Sequence, residues 1–186
     1  MANSLLDWKD TFLVEIGISK TQSPNTVEAY AGDLDQFFEF LLRNNPGRDL
    51  ESMQPSEINS QDIHDYVVFL GQQGYKGSSI SRKLSSVRSF CRFLATREVL
   101  ETNPAKGISS RKTHTYLPKV LSQDDVERLL EAIDTETPYG KRDRAMFELL
   151  YGAGLRVSEL AKLNVGDVDY SLGFVQVVGK GDKERF

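Results

Sequence analysis

Only one cysteine, Cys91, and two histidines, His64 and His114, occur among the 186 residues. A single thiol excludes an internal disulfide framework, and its setting among Phe90, Phe93 and Leu94 predicts a buried group rather than a reactive one. A reducing cytoplasm is the expected compartment. His64 has no second His, Cys or carboxylate at ligand spacing, and His114 lies in a basic polar strap, so no metal site and no cofactor are expected. Long apolar runs are missing as well: none approaches the ~18 residues of a membrane-spanning helix. The first ten residues, Met1 to Asp10, lack the basic start and apolar run of an export signal. Net positive charge is also wanting, since the chain carries −4, which by itself speaks against nucleic acid.

The distribution of that charge changes its meaning. Residues 1–75 carry 4 basic and 12 acidic side chains, residues 76–112 carry 9 and 2, and residues 113–186 carry 10 and 13. A strongly positive block between two acidic ones suits a DNA-contacting face on an otherwise acidic protein. The plainer alternative is a charge run on a solvated helix.

The length allows one domain or two small ones, and apolar periodicity predicts helices first. Leu5, Trp8, Phe12 and Leu13 mark one over about 4–16, and Val27, Tyr30, Leu34, Phe37, Phe38, Leu41 and Leu42 mark a second from Pro24 to before Asn44. A third starts with Ser60 as cap and turns Ile63, Tyr66, Val67 and Leu70 inward. The fourth, about 78–97, aligns Ile80, Leu84, Val87, Cys91 and Leu94 on one side, with Ser81, Arg82, Ser85, Arg88, Ser89 and Arg92 opposite. Small residues between arginines let a helix approach a duplex closely, and Arg and Ser are common donors to phosphate oxygens and base edges. Arg82, Ser85, Arg88, Ser89 and Arg92 are therefore the expected DNA contacts.

From Glu101 to Val120 the composition is that of a linker, with Asn103-Pro104, Gly107 and the pair Arg111 and Lys112, which suit a strap across a DNA backbone. The expected organisation is a helical domain over 1–107, a linker over 108–120 and a second domain over 121–186. In the last, Ser122 caps a helix with Val126, Leu129, Leu130 and Ile133 inward, and residues 135–140 form a loop. A helix over 141–151 buries Ala145, Met146, Leu149 and Leu150, another runs from Arg156 to about Leu163, and Val168, Tyr170 and 174–178 make a small antiparallel sheet.

Two stretches carry the chemistry. Arg156 follows a Gly152-Ala153-Gly154 break and opens a helix, where free backbone N–H groups and the dipole favour an anion. Gly179-Lys180-Gly181-Asp182-Lys183-Glu184-Arg185 follows a β-pattern, and its glycines permit a hairpin turn presenting Lys180 and Lys183. Residues 142–160 closely resemble the first catalytic box of the tyrosine recombinases, and residues 177–185 resemble the lysine-bearing hairpin of that family. Asn103-Pro104-Ala105-Lys106-Gly107 and residues 151–156 bring the chain nearest the members that resolve chromosome dimers.

The resemblance implies a mainly α fold with a small antiparallel sheet: a four-helix SAM-like DNA-binding domain followed by the first part of a catalytic domain. It implies that Arg156 binds the scissile phosphate, that Lys180 protonates the leaving 5′-hydroxyl, and that Glu159 supports Arg156. Arg111, Lys112, Lys183 and Arg185 are further DNA contacts. Double-stranded DNA, a sister recombinase in a tetramer and a septal DNA translocase are the implied partners, with no metal, nucleotide or membrane. Members of the family carry a His-x-x-Arg box and a nucleophilic tyrosine downstream of the hairpin, which the 186 residues do not contain. The chain as written is therefore expected to be an N-terminal fragment that does not cleave DNA alone, with apolar surface exposed beyond residue 120. A non-catalytic protein occupying a recombination site is the alternative.

Overall fold

Phenylalanines at helical spacing organise the N-terminal half. The computed structural model describes residues 4–18, 24–47, 49–109, 120–179 and 184–186, and the chain divides into two compact units, 1–115 and 116–186. The first unit holds α1 (Leu5–Ile18), α2 (Pro24–Asn44), α3 (Ser60–Gln72) and α4 (Gly77–Thr96). At the start of α1, Ser4 donates its N–H and hydroxyl to the Asp7 carboxylate at 2.8 and 2.9 Å. The backbone bond, then the hydroxyl bond, holds the Asp7 pKa below the usual carboxylate value.

The core of this unit is aromatic. Phe12 and Phe38 meet Phe90 at 5.5 and 5.8 Å between ring centroids, and Phe37 meets Tyr66 at 5.1 Å. Each such ring removed from water contributes about 1.5–3 kcal/mol. The expected stripe of α4 is buried throughout, and burial pushes the Cys91 thiol up to about 12, which makes it a packing group. The cap of α3 is Asn59, not Ser60 as the sequence suggests. The Asn59 side chain accepts from the N–H groups of Gln61 and Asp62 at 2.8 and 3.0 Å. The Ser60 hydroxyl instead donates to the Pro104 carbonyl at 2.8 Å. That bond, the buried Leu100 and Ala105, and Ile108 packed at the core's edge make the stretch through Ile108 part of the first unit.

The second unit contains α5 (Gln123–Glu131), α6 (Pro138–Gly152), α7 (Val157–Leu160), β1 (Val168–Asp169), β2 (Phe174–Val175), β3 (Val177–Val178) and β4 (Glu184–Arg185). The Ser122 hydroxyl caps α5 by accepting from the Asp125 N–H at 3.1 Å. α6 starts within the expected loop, because the Thr137 hydroxyl accepts from the Gly140 N–H at 3.0 Å and Pro138 suits a first helical turn. Gly140 is required there: a Cβ on it would lie 1.6 Å from the Asp134 carbonyl oxygen. Gly140→Ala is expected to destabilise this unit by about 3 kcal/mol. Amide exchange at Leu130 and Leu155 reads this directly, and wild-type protection in the variant would mean that the Asp134 turn yields freely.

The run 174–178 does not form one strand. The Gln176 N–H donates to the Asp167 carbonyl at 2.8 Å and interrupts it. Two antiparallel ladders result, β1 with β2 (Val168 opposite Val175) and β3 with β4 (Val177 opposite Arg185), while Tyr170 falls in the turn of the first. Ala145, Met146 and Leu129, expected inside, are exposed, and Leu149, Leu150, Val126 and Ile133 are half-buried. Among the described residues of this unit only Leu130, Leu155 and Val177 are buried apolar side chains. Three helices and two short ladders present more apolar surface than they can cover among themselves. No helix among the described residues is long and apolar enough to cross a membrane.

Candidate nucleic-acid interface

Arg156 sits at a corner made by glycine. α6 ends at Ala153, whose N–H donates to the Leu149 carbonyl at 3.1 Å, and Gly154 follows at φ +59, a left-handed conformation that suits glycine. Leu155 then buries its side chain and Arg156 begins α7 with an extended backbone. The expected helix to Leu163 is shorter: α7 has four residues, after which the Lys162 and Leu163 N–H groups bond three residues back, to Glu159 and Leu160. At its start the Arg156 N–H donates to Glu159 Oε2 at 2.7 Å, so the carboxylate of the same turn takes that N–H.

Glu159 is the centre of the site. It is 7% exposed, and besides the backbone bond it accepts from Arg156 Nη1 and from Arg185 Nη2, each at 2.7 Å. The Arg156 N–H bond, then the Arg185 bond, holds its pKa at about 2, against an ordinary 4.5. A carboxylate that is charged at neutral pH thus orients two guanidinium groups. The Arg156 side chain remains 70% exposed, which keeps most of its five-donor fork available to a ligand.

Arg185 belongs to β4, which follows the glycine- and lysine-rich stretch in sequence. Its Nη2 also donates to the Gly154 carbonyl at 3.0 Å, and its buried Nε finds no acceptor among the described residues. The hairpin is therefore rooted against the corner that carries Arg156. Lys180 and Lys183 lie outside the described residues, as do Arg111 and Lys112. Arg185, expected from the resemblance as a DNA contact, has its fork turned to Glu159 and Gly154.

On α4, Arg82, Ser85 and Arg92 are exposed and Arg88 and Ser89 half-buried. Arg88 Nη2 donates to the Ile108 carbonyl at 2.6 Å, and the Ser85 hydroxyl to the Ser81 carbonyl at 2.8 Å. Ser89 and Arg92 line a depression with Phe12, Glu15 and Arg97. Arg82 is held by a residue that sequence reasoning passed over. Asp33 on α2, 2% exposed, accepts from Arg82 Nη1 and Nη2 at 2.5 and 2.8 Å, from Lys83 Nζ at 3.0 Å and from the Ser86 hydroxyl at 2.7 Å. One signal was legible: Asp33 stands three residues after Tyr30 and four before Phe37, within the apolar stripe, where a carboxylate must be paired. Among the described residues no three His, Cys, Asp or Glu side chains gather as a metal would need.

Comparison with known proteins covers both units. Residues 10–98 match the phage integrase N-terminal SAM-like domain, and residues 119–186 match the phage integrase family. The chain is 37% identical over 176 residues to tyrosine recombinase XerC of Pelotomaculum thermopropionicum, with 95% of this chain and 57% of that protein covered. It is 40% identical over 179 residues to tyrosine recombinase XerD of Listeria innocua, with 96% and 59% covered. The chain thus spans under two thirds of the length of these curated relatives. In fold it is similar to a lambda integrase (residues 75–356) dimer bound to a COC′ core site, at TM-score 0.69 and 18% identity over 98% of this chain and 61% of that one. It is also similar to the XerH site-specific recombinase bound to a palindromic difH substrate, at TM-score 0.63 and 20% identity over 86% and 47%.

Proposed function

Because the chain belongs to the phage integrase family of tyrosine recombinases, we propose that it forms the DNA-grasping and phosphate-activating part of a site-specific recombinase of the XerC type. That recombinase cleaves and rejoins DNA strands through a 3′-phosphotyrosyl intermediate. The observation that carries this is the joint hold of buried Glu159 on Arg156 and Arg185 at 2.7 Å, which brings the arginine corner and the root of the lysine hairpin together. Phosphoryl transfer requires mainly alignment and charge. Arg156, oriented by Glu159, donates parallel hydrogen bonds to the nonbridging oxygens of the scissile phosphate and stabilises its pentacoordinate state. Lys180, in the stretch of sequence between β3 and β4, protonates the leaving 5′-hydroxyl. α4 lies along the duplex through Arg82, Ser85, Ser89 and Arg92, with Arg88 bracing the segment that leads to Arg111 and Lys112. Lys183 adds a phosphate contact. No metal or nucleotide takes part.

The biological task in this proposal is resolution of chromosome dimers in the cytoplasm, in a tetramer with a XerD-like recombinase on two DNA sites and under a septal DNA translocase. The 186 residues by themselves occupy a site without chemistry. Tyr30 packs on Phe12, and the hydroxyl of the buried Tyr66 donates to the Gln36 side chain, so these two serve packing. On a nicked suicide duplex the chain is expected to shift the DNA in a gel yet leave no denaturation-resistant adduct. A covalent adduct would overturn the non-catalytic assignment, and absence of any salt-sensitive DNA binding would overturn the recombinase assignment.

A further inference from the structure

We infer that Asp33 is a positioning residue for DNA binding, one that sets the Arg82 guanidinium as a fixed phosphate donor on the face of α4. The inference rests on the assignment of α4 as the DNA-contacting face. Among the described contacts, the only carboxylate held against the basic block's Arg82 and Lys83 is Asp33, buried beneath them. An acid on a DNA-binding face opposes the negative backbone on Coulomb grounds. Asp33, however, has its charge fully engaged by four hydrogen bonds from three α4 side chains.

The geometry separates the two cations. The Lys83 side chain is 12% exposed and its Nζ lies 5.4 Å from the Tyr75 ring centre, so it serves as a buried counter-charge to Asp33. The Arg82 side chain is 53% exposed. Its fork spends one N–H of each terminal nitrogen on the carboxylate, which leaves the remaining donors of a planar, immobilised group for solvent or phosphate. With Lys83 neutralising the acid, the ensemble keeps one positive charge, carried outward by Arg82. Holding a long side chain in its bound rotamer before DNA arrives removes an ordering penalty from binding. Ser86, buried and hydrogen-bonded to Asp33 Oδ2, fixes the carboxylate in turn.

The sign of one substitution tests this. Asp33→Asn keeps the shape and makes the chain one unit more positive, so charge alone predicts tighter binding. Positioning predicts weaker binding, by about fivefold or more, with the slope of log affinity against log salt shallower by about one. The measurement is fluorescence anisotropy of the 186-residue chain with a short labelled DNA duplex of mixed sequence, across a salt series, with thermal unfolding as the control for fold. Arg82→Lys keeps the charge but not the fork and is expected to give the same loss, and the double variant is expected to be no worse than either alone. Should Asp33→Asn bind as tightly as the parent or tighter while Arg82→Ala weakens binding, Arg82 touches DNA unaided and the inference falls. Should Arg82→Ala change neither affinity nor slope, α4 is not the DNA-contacting face at all. If Asp33→Asn fails to fold, Arg82→Lys decides: parental affinity and slope there overturn the positioning role.

Discussion

Arg156→Ala is expected to lower strand cleavage by about 10³-fold or more in a polypeptide that joins these residues to a nucleophilic tyrosine, with duplex binding changed only a few-fold. The asymmetry follows from what the guanidinium faces. On the proposed reading, duplex affinity is spread over many phosphate contacts besides Arg156, so loss of one changes it little. Only donors at the scissile phosphate meet the extra charge of the pentacoordinate state, which is the role proposed for Arg156. Lys180→Ala is expected to be comparably slow on a normal duplex. It should recover on one whose bridging 5′-oxygen is replaced by sulfur, since a thiolate leaves without a proton. Arg156→Ala gains nothing from that substitution. Equal rescue of both variants, or of neither, would remove the division of labour between arginine and lysine.

Glu159 underlies that division, and its effect on the hairpin is expected to be large and pH-dependent. Its carboxyl titrates at about 2 in the folded chain against an ordinary 4.5. A group whose folded pKa is depressed contributes stability that is present in full above its unfolded value and is lost as pH falls through the folded one. The β3–β4 ladder should therefore hold its attachment above about pH 4.5 and lose it progressively toward pH 2. Glu159→Gln should already be loosened at neutral pH, with the amides of Val177 and Arg185 exchanging on the order of tenfold faster, and should show no further change between pH 4.5 and 2. The amide keeps an acceptor for one guanidinium but cannot attract two, and it leaves Arg185 partly buried beside a neutral group. If exchange in Glu159→Gln follows the same acid profile as the parent, another carboxyl holds the hairpin, and Glu159 is not the bridge.

The two units differ in how much of their structure was legible. In the first, apolar residues recur at helical spacing over long stretches, and the observed helices begin and end within a few residues of those read from the pattern. Ser60 against Asn59 is a local competition: either side chain can cap, and the Pro104 carbonyl, contributed by a segment 44 positions away, takes the serine hydroxyl. In the second, short elements left the pattern ambiguous. Met146 and Ala145 fall on the apolar side of the pattern yet are exposed, and periodicity cannot say whether an element lies over that side. The expected α7 runs past the observed one for a related reason: Val157, Leu160 and Leu163 suit a helix and do not show that its turns tighten after Leu160.

Composition and order of residues determined on their own that the chain is mainly helical, that a basic segment lies between acidic ones, that Cys91 is inert, and that an arginine corner precedes a lysine hairpin. Each follows from local propensity, periodicity or charge, which are written along the chain. Tertiary structure alone decided which charges are spent internally. Asp33 claims Arg82 and Lys83 from 49 and 50 positions away, and Glu159 claims Arg185 from 26. Ion pairing between buried groups depends on distance and desolvation in three dimensions, and residues on separate elements acquire both only when those elements pack.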